Sequence, residues 1–453
     1  MSLTTESSAL DALRAELSGD LVLPGDEQYE TARLPWNLSV DQRPAAIAVP
    51  ADVDDVERIV RAAAAAGLGV STQPNGHGAN GSLEGVILVR PKRFDEITID
   101  VETASARVGA GVNWGPALSQ LDGTGLIALS GSNPEVNVVG LSLGGGHSMF
   151  SRAYGLAADS VTAVELVDGT GAVRRVTEDS DAELLWALRG GGGLFGVVTA
   201  IEFRLHPGDA LFGGSLFYPL EAAVDVFLAV SDLAAEHPEL GIDVGVARFP
   251  DLPVLPEPLR GRSVTSVAIV ALGDAASAEP VAQALRGIAT PIIDGLTSFT
   301  IGGLAAVANE PVDPMPTVDW GGTIDGFDRE SAKAFVDAFL AGAEKGLSRA
   351  GVRILGGAIG RQSDALLGAI SAPALIGAGV LIFDPAQVPA AQAALQPLRD
   401  VADRYPAQGM VPTFLGAGAG LADAFPPATI AKLAAIKQRV DPQGVIRSNR
   451  PLP

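Results

Sequence analysis

The sequence predicts an α+β protein of more than one domain, and three observations carry that prediction. The chain has 453 residues with 47% apolar side chains, long enough for two or three domains and apolar enough to bury sizeable cores. Its opening half interleaves short strand-like runs with amphipathic helices. After His206-Pro207-Gly208 the texture changes to strands alternating with longer helices, the pattern of a sheet covered by helices.

The elements follow in order. Residues 10–17 read as a short helix and 43–49 as a strand. In 52–66, Asp52 is an N-cap with Asp55 three residues on, and Val56, Ile59, Val60 and Ala63 fall at helical spacing. Gly67 then closes that helix. Strands are expected at 69–72 and 85–89, a hairpin pair at 98–100 and 106–108, and a helix at 114–121. Runs 161–167 and 172–176 flank Asp168-Gly169-Thr170-Gly171, which suits a tight hairpin turn. A helix at 181–188, a four-glycine loop at 190–193 and a strand at 195–204 close this half. Beyond it, helices are predicted at 220–236, 279–288, 328–341, 388–404 and 429–440, and strands at 242–249, 263–272 and 352–359. Residues 251–258 form a proline-rich loop and 441–453 an irregular tail.

Composition excludes several classes. A net charge of −22 repels nucleic acid and anionic membrane, so neither is expected as a partner. The chain has no cysteine, which removes disulfide and thiolate chemistry and fits a cytoplasmic location. Residues 1–17 carry Glu6, Asp11 and Glu16 and lack the basic start and apolar core of a signal peptide. No uncharged apolar run reaches the roughly 18 residues of a membrane span. The histidines at 77, 147, 206 and 237 have no metal-ligand spacing, so no metal is expected.

Several motifs compete. Gly140-Leu141-Ser142-Leu143-Gly144 fits Gly-x-Ser-x-Gly, the elbow of a serine hydrolase with Ser142 as nucleophile. That mechanism needs a strand over 136–143 and a helix after it, but glycines and a polar loop follow. Gly109-Ala110-Gly111-Val112-Asn113-Trp114-Gly115 is a near-match to a dinucleotide fingerprint whose third glycine comes one place late, and it reads as a strand-to-helix turn. His206 and His237 each precede a proline and read as structural. His147 follows three glycines, which leave its ring able to reach a cavity. Three glycine clusters (75–78, 144–146 and 190–193) lie within about 120 residues, each beside apolar strand-like sequence. Together they favour backbone wrapped closely around a large flat or phosphorylated ligand.

Asn75-Gly76-His77-Gly78, Gly140–Gly146, Ser151-Arg152-Ala153-Tyr154-Gly155-Leu156-Ala157-Ala158-Asp159, Leu185-Trp186-Ala187-Leu188-Arg189 with the four glycines and Leu194–Thr199, and Asp441-Pro442-Gln443-Gly444-Val445-Ile446-Arg447-Ser448-Asn449 occur in one order. This set resembles the FAD-linked oxidases of the vanillyl-alcohol oxidase superfamily, in the berberine-bridge-enzyme-like branch. The resemblance implies a PCMH-type FAD-binding domain of two α/β subdomains, built from residues 1–208 with 409–453 returning to it. It implies a substrate domain over 209–408 whose antiparallel sheet, covered by helices, roofs the flavin ring.

On that resemblance the loop Pro74, Asn75, Gly76, His77, Gly78 and Ala79 holds the FAD pyrophosphate, and His77 carries a covalent bond to the flavin 8α-methyl. Gly131, Ser132, Asn133, Val136, Gly140, Ser142 and Gly145 also line the cofactor. Val197 and Val198 lie at the adenine end, and Asn449 returns from the tail. Many relatives add a second bond from a cysteine; here Asn133 stands in that place, so a bicovalent flavin is excluded. The tyrosine that the family often places before the last helix is missing from Val411–Gly416, and Leu194 and Leu141 replace other familiar residues. No catalytic base therefore carries over. His147 and Tyr154 are the expected catalytic residues by chemistry, with Tyr218, Asp319 and Asp325 as further candidates. The expected reaction removes a hydride from a C–H next to a hydroxyl or amine of a small organic substrate. Dioxygen then reoxidises the flavin to give hydrogen peroxide, and the small Gly131 near the ring favours this over a dehydrogenase with another acceptor. The low aromatic content, 5%, argues against a pocket of stacked rings, and Trp320 reads as a core residue.

Overall fold

The computed structural model describes residues 3–308, 310–416 and 418–453. Its first sheet comprises β1 (Asp20–Val22), β2 (Ala46–Val49), β3 (Gly69–Thr72) and β4 (Val86–Val89) in the order β1-β2-β4-β3. β2 and β3 both run parallel to β4 because the helix Val53–Ala66 crosses between them. Asp52 caps this helix by accepting from the Asp55 N–H at 2.9 Å, and Gly67 ends it in the left-handed region at φ 66°. Its face of Val56, Ile59, Val60 and Ala63 is wholly buried with Ala46, Val70 and Ile87 of the sheet.

The second sheet holds β5 (Ile97–Asp100), β6 (Ser105–Gly109), β8 (Val161–Asp168), β9 (Val173–Thr177) and β10 (Gly196–Arg204), all antiparallel, in the order β5-β6-β10-β8-β9. The β8–β9 turn closes on Asp168, whose Oδ1 accepts from the Thr170 and Ala172 N–H groups at 2.8 and 3.1 Å. β7 (Leu126–Ile127) and β11 (His206–Pro207) form a small separate ladder.

The third sheet is the largest. It contains β12 (Leu211–Pro219), β13 (Gly241–Arg248), β14 (Ser263–Leu272), β15 (Ile293–Asp294), β16 (Thr297–Phe299), β17 (Thr317–Ile324), β18 (Arg349–Ile354) and β19 (Ala374–Leu381). The order is β15-β12-β14-β13-β18-β19-β17, antiparallel throughout, with β16 also on β12. Strand alternation gives it two faces. Ile242, Val244, Val246, Val352, Ile376 and Val380 bury beneath the helices Ala223–Glu236, Arg329–Ala343 and Val388–Arg404. The opposite face carries Asp243, Gly245 and Ala247 of β13, paired with Arg353, Gly351 and Arg349 of β18. On β19 and β17 it continues with Leu375, Gly377 and Gly379 beside Thr323, Gly321 and Asp319. Gly245, Gly351, Gly377 and Gly321 thus form one row across four strands.

Some expectations shift. Residues 136–143 contain no strand; Val138–Leu143 is a short helix capped by Asn137. The strand expected at 352–359 ends at Ile354, and a 3-10 turn, Gly357–Gly360, follows. The strands β12, β17 and β19 were not foreseen. The tail is irregular, yet Val445 O accepts from the Val70 N–H at 2.8 Å and the Arg447 N–H donates to Val70 O at 2.7 Å, so it lies beside β3. Among the described residues no helix is long and apolar enough to cross a membrane.

Candidate cofactor and substrate cavity

A cavity of about 690 Å³ opens between the glycine loops of the first two sheets and the glycine row of the third. One wall is the loop Pro74–Asn80, Gly131–Asn133, Gly190–Gly193 and the tail at Asn449; the other is β13, β17, β18 and β19.

The loop is fixed from outside and left open inside. The Trp36 N–H donates to Asn75 O at 2.8 Å, and the Trp36 ring stacks on His77 with centroids 4.4 Å apart. Gly76 sits at φ 90°, and a Cβ there would lie 2.6 Å from the Pro35 side chain, so only glycine fits. Asn449 Nδ2 donates to Gly78 O at 2.7 Å, which ties the tail to the loop. The N–H groups of Gly76, His77 and Gly78 donate to no other described residue, leaving successive amides for an anion. His77 Nε2 is enclosed without a hydrogen-bond partner, as is the Thr72 hydroxyl in the same lining. Burial lowers the His77 pKa to about 4 against the opposing field of Glu310, so the imidazole is neutral near pH 7.

The second wall segment hangs on Asn137. Its Oδ1 accepts from the Gly140 N–H at 2.9 Å, and its Nδ2 donates to Ala110 O and Val112 O at 2.8 and 2.9 Å. Ser132 donates to Glu310 at 2.8 Å, and Asn133 donates to Pro311 O at 2.8 Å. Asn133 thus clips the 310–311 segment to the wall.

Pro74, Asn75, Gly76, His77, Gly78, Ala79, Gly131, Ser132, Asn133, Val136, Gly140, Val198, Asn449 and His147 all line this cavity. Four expected residues, Tyr154, Ser142, Gly145 and Val197, do not. Tyr154 stacks on His206 at 4.4 Å and donates its hydroxyl to Pro207 O at 2.8 Å, so it is spent on the β11 corner. Ser142 is buried on its short helix, with no strand before it to make an elbow, which removes the hydrolase geometry. Gly145 faces Val411 and Leu367 instead. Val197, expected at the adenine end, is in the first-sheet core; of the further candidates, Tyr218 is in the third-sheet core with its hydroxyl on Leu285 O at 3.1 Å. Asp325 lies outside the lining, whereas Asp319 is in it, held by the Thr317 hydroxyl at 2.7 Å. Trp320 borders the cavity, but its ring packs over Gly322 against the third-sheet core.

The sequence reading missed Asp243, Arg349 and Arg353, all in the lining. The available signal was a lone carboxylate in the apolar run Gly241–Ala247. Burial raises the Asp243 pKa to about 6, against the pull of Arg353 and Arg349. His147 moves the other way: burial, then Arg353 and Arg152, lower it to about 3. It is therefore neutral and a weak proton acceptor. Its ring meets Phe414 edge-on at 6.3 Å.

Two enclosed polar atoms without partners, a loop of unused amides and a glycine-lined wall are what a bound dinucleotide with a flat ring requires. Comparison agrees. Residues 44–177 match the family model described as FAD binding domain. (R)-6-hydroxynicotine oxidase of Paenarthrobacter nicotinovorans is 32% identical over 288 residues, 62% of this chain and 60% of that enzyme. The chain spans about half the length of the curated relatives it matches. The solved structure of BBE-like 1 from Physcomitrella patens superposes with a TM-score of 0.85 at 20% identity, covering 98% of this chain and 99% of that one. The glucooligosaccharide oxidase of Acremonium strictum does so at 0.81 and 20% identity, covering 98% and 99%. Residues 44–177 carry a FAD binding domain, and the chain as a whole shares the fold of the berberine-bridge-enzyme-like structure.

Proposed function

We propose that the protein is an FAD-dependent oxidase that removes a hydride from a C–H beside a hydroxyl or amine of a small organic substrate. The observation that carries this reading is the cavity's two-sidedness: one wall is glycine loop and amide, the other is a sheet bearing acid–base side chains. The unused amides of Gly76–Gly78 hold the pyrophosphate, Asn449 locks that loop, and the floor of the third sheet receives the substrate. FAD, when bound, supplies the two-electron acceptor. The chain's residues bind, orient and take the proton. The 1–208 and 409–453 segments act as the cofactor domain and 209–408 as the substrate domain.

We further propose a single covalent bond from His77. The neighbouring glucooligosaccharide oxidase is described with a 6-S-cysteinyl, 8α-N1-histidyl FAD; this chain has no cysteine. A neutral imidazole has a ring nitrogen with a free lone pair for that bond. Acid precipitation tests this: yellow colour stays in the pellet of the wild type and moves to the supernatant in His77→Ala. Flavin released by acid from the wild type contradicts the bond. Anaerobic reduction by a substrate, followed by air, tests the class. Reoxidation with stoichiometric hydrogen peroxide marks an oxidase; a flavin that stays reduced in air marks a dehydrogenase with another acceptor.

A further inference from the structure

Arg353 sits on the cavity face of β18, directly across from Asp243 on β13. Directly paired residues on adjacent strands are close enough to form an ion pair, with Cα atoms roughly 4.5–5.5 Å apart. They do not form one. Arg353 leans the other way, over Gly377, its guanidinium carbon 4.5 Å from the centre of the Phe414 ring. Among the described residues neither Arg353 nor Asp243 makes a side-chain hydrogen bond or ion pair. The other acids in the lining are engaged: Asp319 with Thr317, Glu310 with Ser132. Among the described residues Arg353 therefore presents a cation that packs on an aromatic face and makes no hydrogen bond or ion pair, inside a cavity where an unmatched charge is costly.

We propose that the substrate is a 2-hydroxy acid: Arg353 holds its carboxylate, and Asp243 takes the proton of the hydroxyl on the adjacent carbon. This rests on the oxidase reading above and names its substrate class. A guanidinium offers a planar two-point fork that matches a carboxylate. The gap between the arginine's lean and the aspartate is floored by Gly245, Gly351 and Gly377, with no side chain to fill it, so a short carbon skeleton spans it. Asp243 outranks His147 as acceptor on placement, lining the gap across from Arg353 with no partner of its own, while the charges of Arg353 and Arg152 oppose protonation of His147. The charged groups facing Asp243 are Arg353 and Arg349 from β18 and Glu310 from the 310–311 segment. In the reaction the C2–H bond breaks with its electron pair leaving as hydride to the FAD, the O–H proton passes to Asp243, and C–O becomes C=O. A 2-oxo acid results; the flavin's electrons go to dioxygen.

The test uses flavin-loaded enzyme. D- and L-lactate and D- and L-mandelate are mixed anaerobically with it, beside their methyl esters. At least one enantiomer of an acid bleaches the flavin, with kcat/KM about 100-fold above its ester. A second readout needs no turnover. 2-Hydroxyisobutyrate has both groups but no C2–H, and its binding is followed by calorimetry. Arg353→Met weakens that binding by about 100-fold and abolishes the preference for acid over ester. Asp243→Asn leaves it within a few-fold, yet lowers kcat by about 100-fold or more and removes the acid limb of the kcat profile. The proposal falls if the acids leave the flavin oxidised, if esters react as well as acids, or if Arg353→Met binds 2-hydroxyisobutyrate normally. In each case the oxidase reading survives if a neutral alcohol or amine bleaches the flavin; it fails separately if the protein takes up no FAD.

Discussion

Burial displaces the titratable groups of this molecule in opposite senses, and stability should record it. His77, His147 and His206 are lowered to about 4, 3 and 4. Below about 6.5 the unfolded chain takes protons that the folded chain refuses, so their contribution is present above about 6.5 and lost as pH falls toward 4. Asp243, raised to about 6, runs the other way: its contribution is present below about 4 and lost as pH rises through 6. Asp243→Asn should then stabilise the protein at pH 7.5, by up to about 3 kcal/mol, and change little at pH 4. Urea unfolding at the two pH values measures this. Equal stability of variant and wild type at pH 7.5 would mean that the nearby arginines already compensate the carboxylate. A residue that costs stability at neutral pH while lining a cavity is what function asks for. The loop wall of the cavity was legible at this scale, because His77 and its flanking glycines are contiguous in sequence. Tyr154 was not, because the hydroxyl's destination, Pro207 O, is fixed by a corner 53 residues away.

Elements were legible where periodicity survived. The helix Val53–Ala66 and the β8–β9 hairpin show their caps and turns in sequence. β17 and β19 do not, because Gly321, Gly322, Gly377 and Gly379 interrupt the alternation that marks a strand. Those glycines are not equivalent. A Cβ at Gly321 would lie 2.4 Å from Phe414 O, and one at Gly245 would lie 2.8 Å from Ala350 O. At Gly351 the nearest atom is 3.9 Å away and the backbone is not left-handed. Gly351→Val should therefore fold as well as the wild type, since a β-branched residue suits a strand interior, and should keep its flavin. Its two methyl groups would stand in the substrate gap and raise KM by about 10-fold or more, taking the gap as the substrate's seat. Unfolding midpoint, flavin content and KM, measured together, separate this from a packing defect; an unchanged KM would show that the glycine row does not receive substrate.

The whole molecule is tied across its sheets by a few buried polar groups, and these set how it comes apart. Arg152 donates to Leu240 O at 2.8 Å and His237 O at 3.2 Å, and also to Ala234 O and Leu355 O, joining the Ser151–Tyr154 helix to the third sheet. Asp441 does the same for the tail. Its buried carboxylate accepts from the Val445 and Ile446 N–H groups at 2.7 and 3.0 Å and from Lys437 at 2.8 Å. Those bonds aim Val445 at β3 and deliver Asn449 to Gly78, so one carboxylate links the last helix, the first sheet and the loop at His77. Asp441→Ala leaves two amides without their acceptor and the Lys437 ammonium with only the Leu194 and Ile446 carbonyls, at a cost of about 2–4 kcal/mol. Because the same strut carries Asn449, flavin retention should fall with stability, and Asp441→Asn should recover part of both. In Asn449→Ala the loop loses its lock while the strut stays, so flavin should loosen with little change in the unfolding midpoint. Thermal unfolding and flavin release, followed in the same samples, resolve the two. If Asp441→Ala unfolds early but grips its flavin as tightly as the wild type, the tail is a structural edge alone and does not work through the loop at His77.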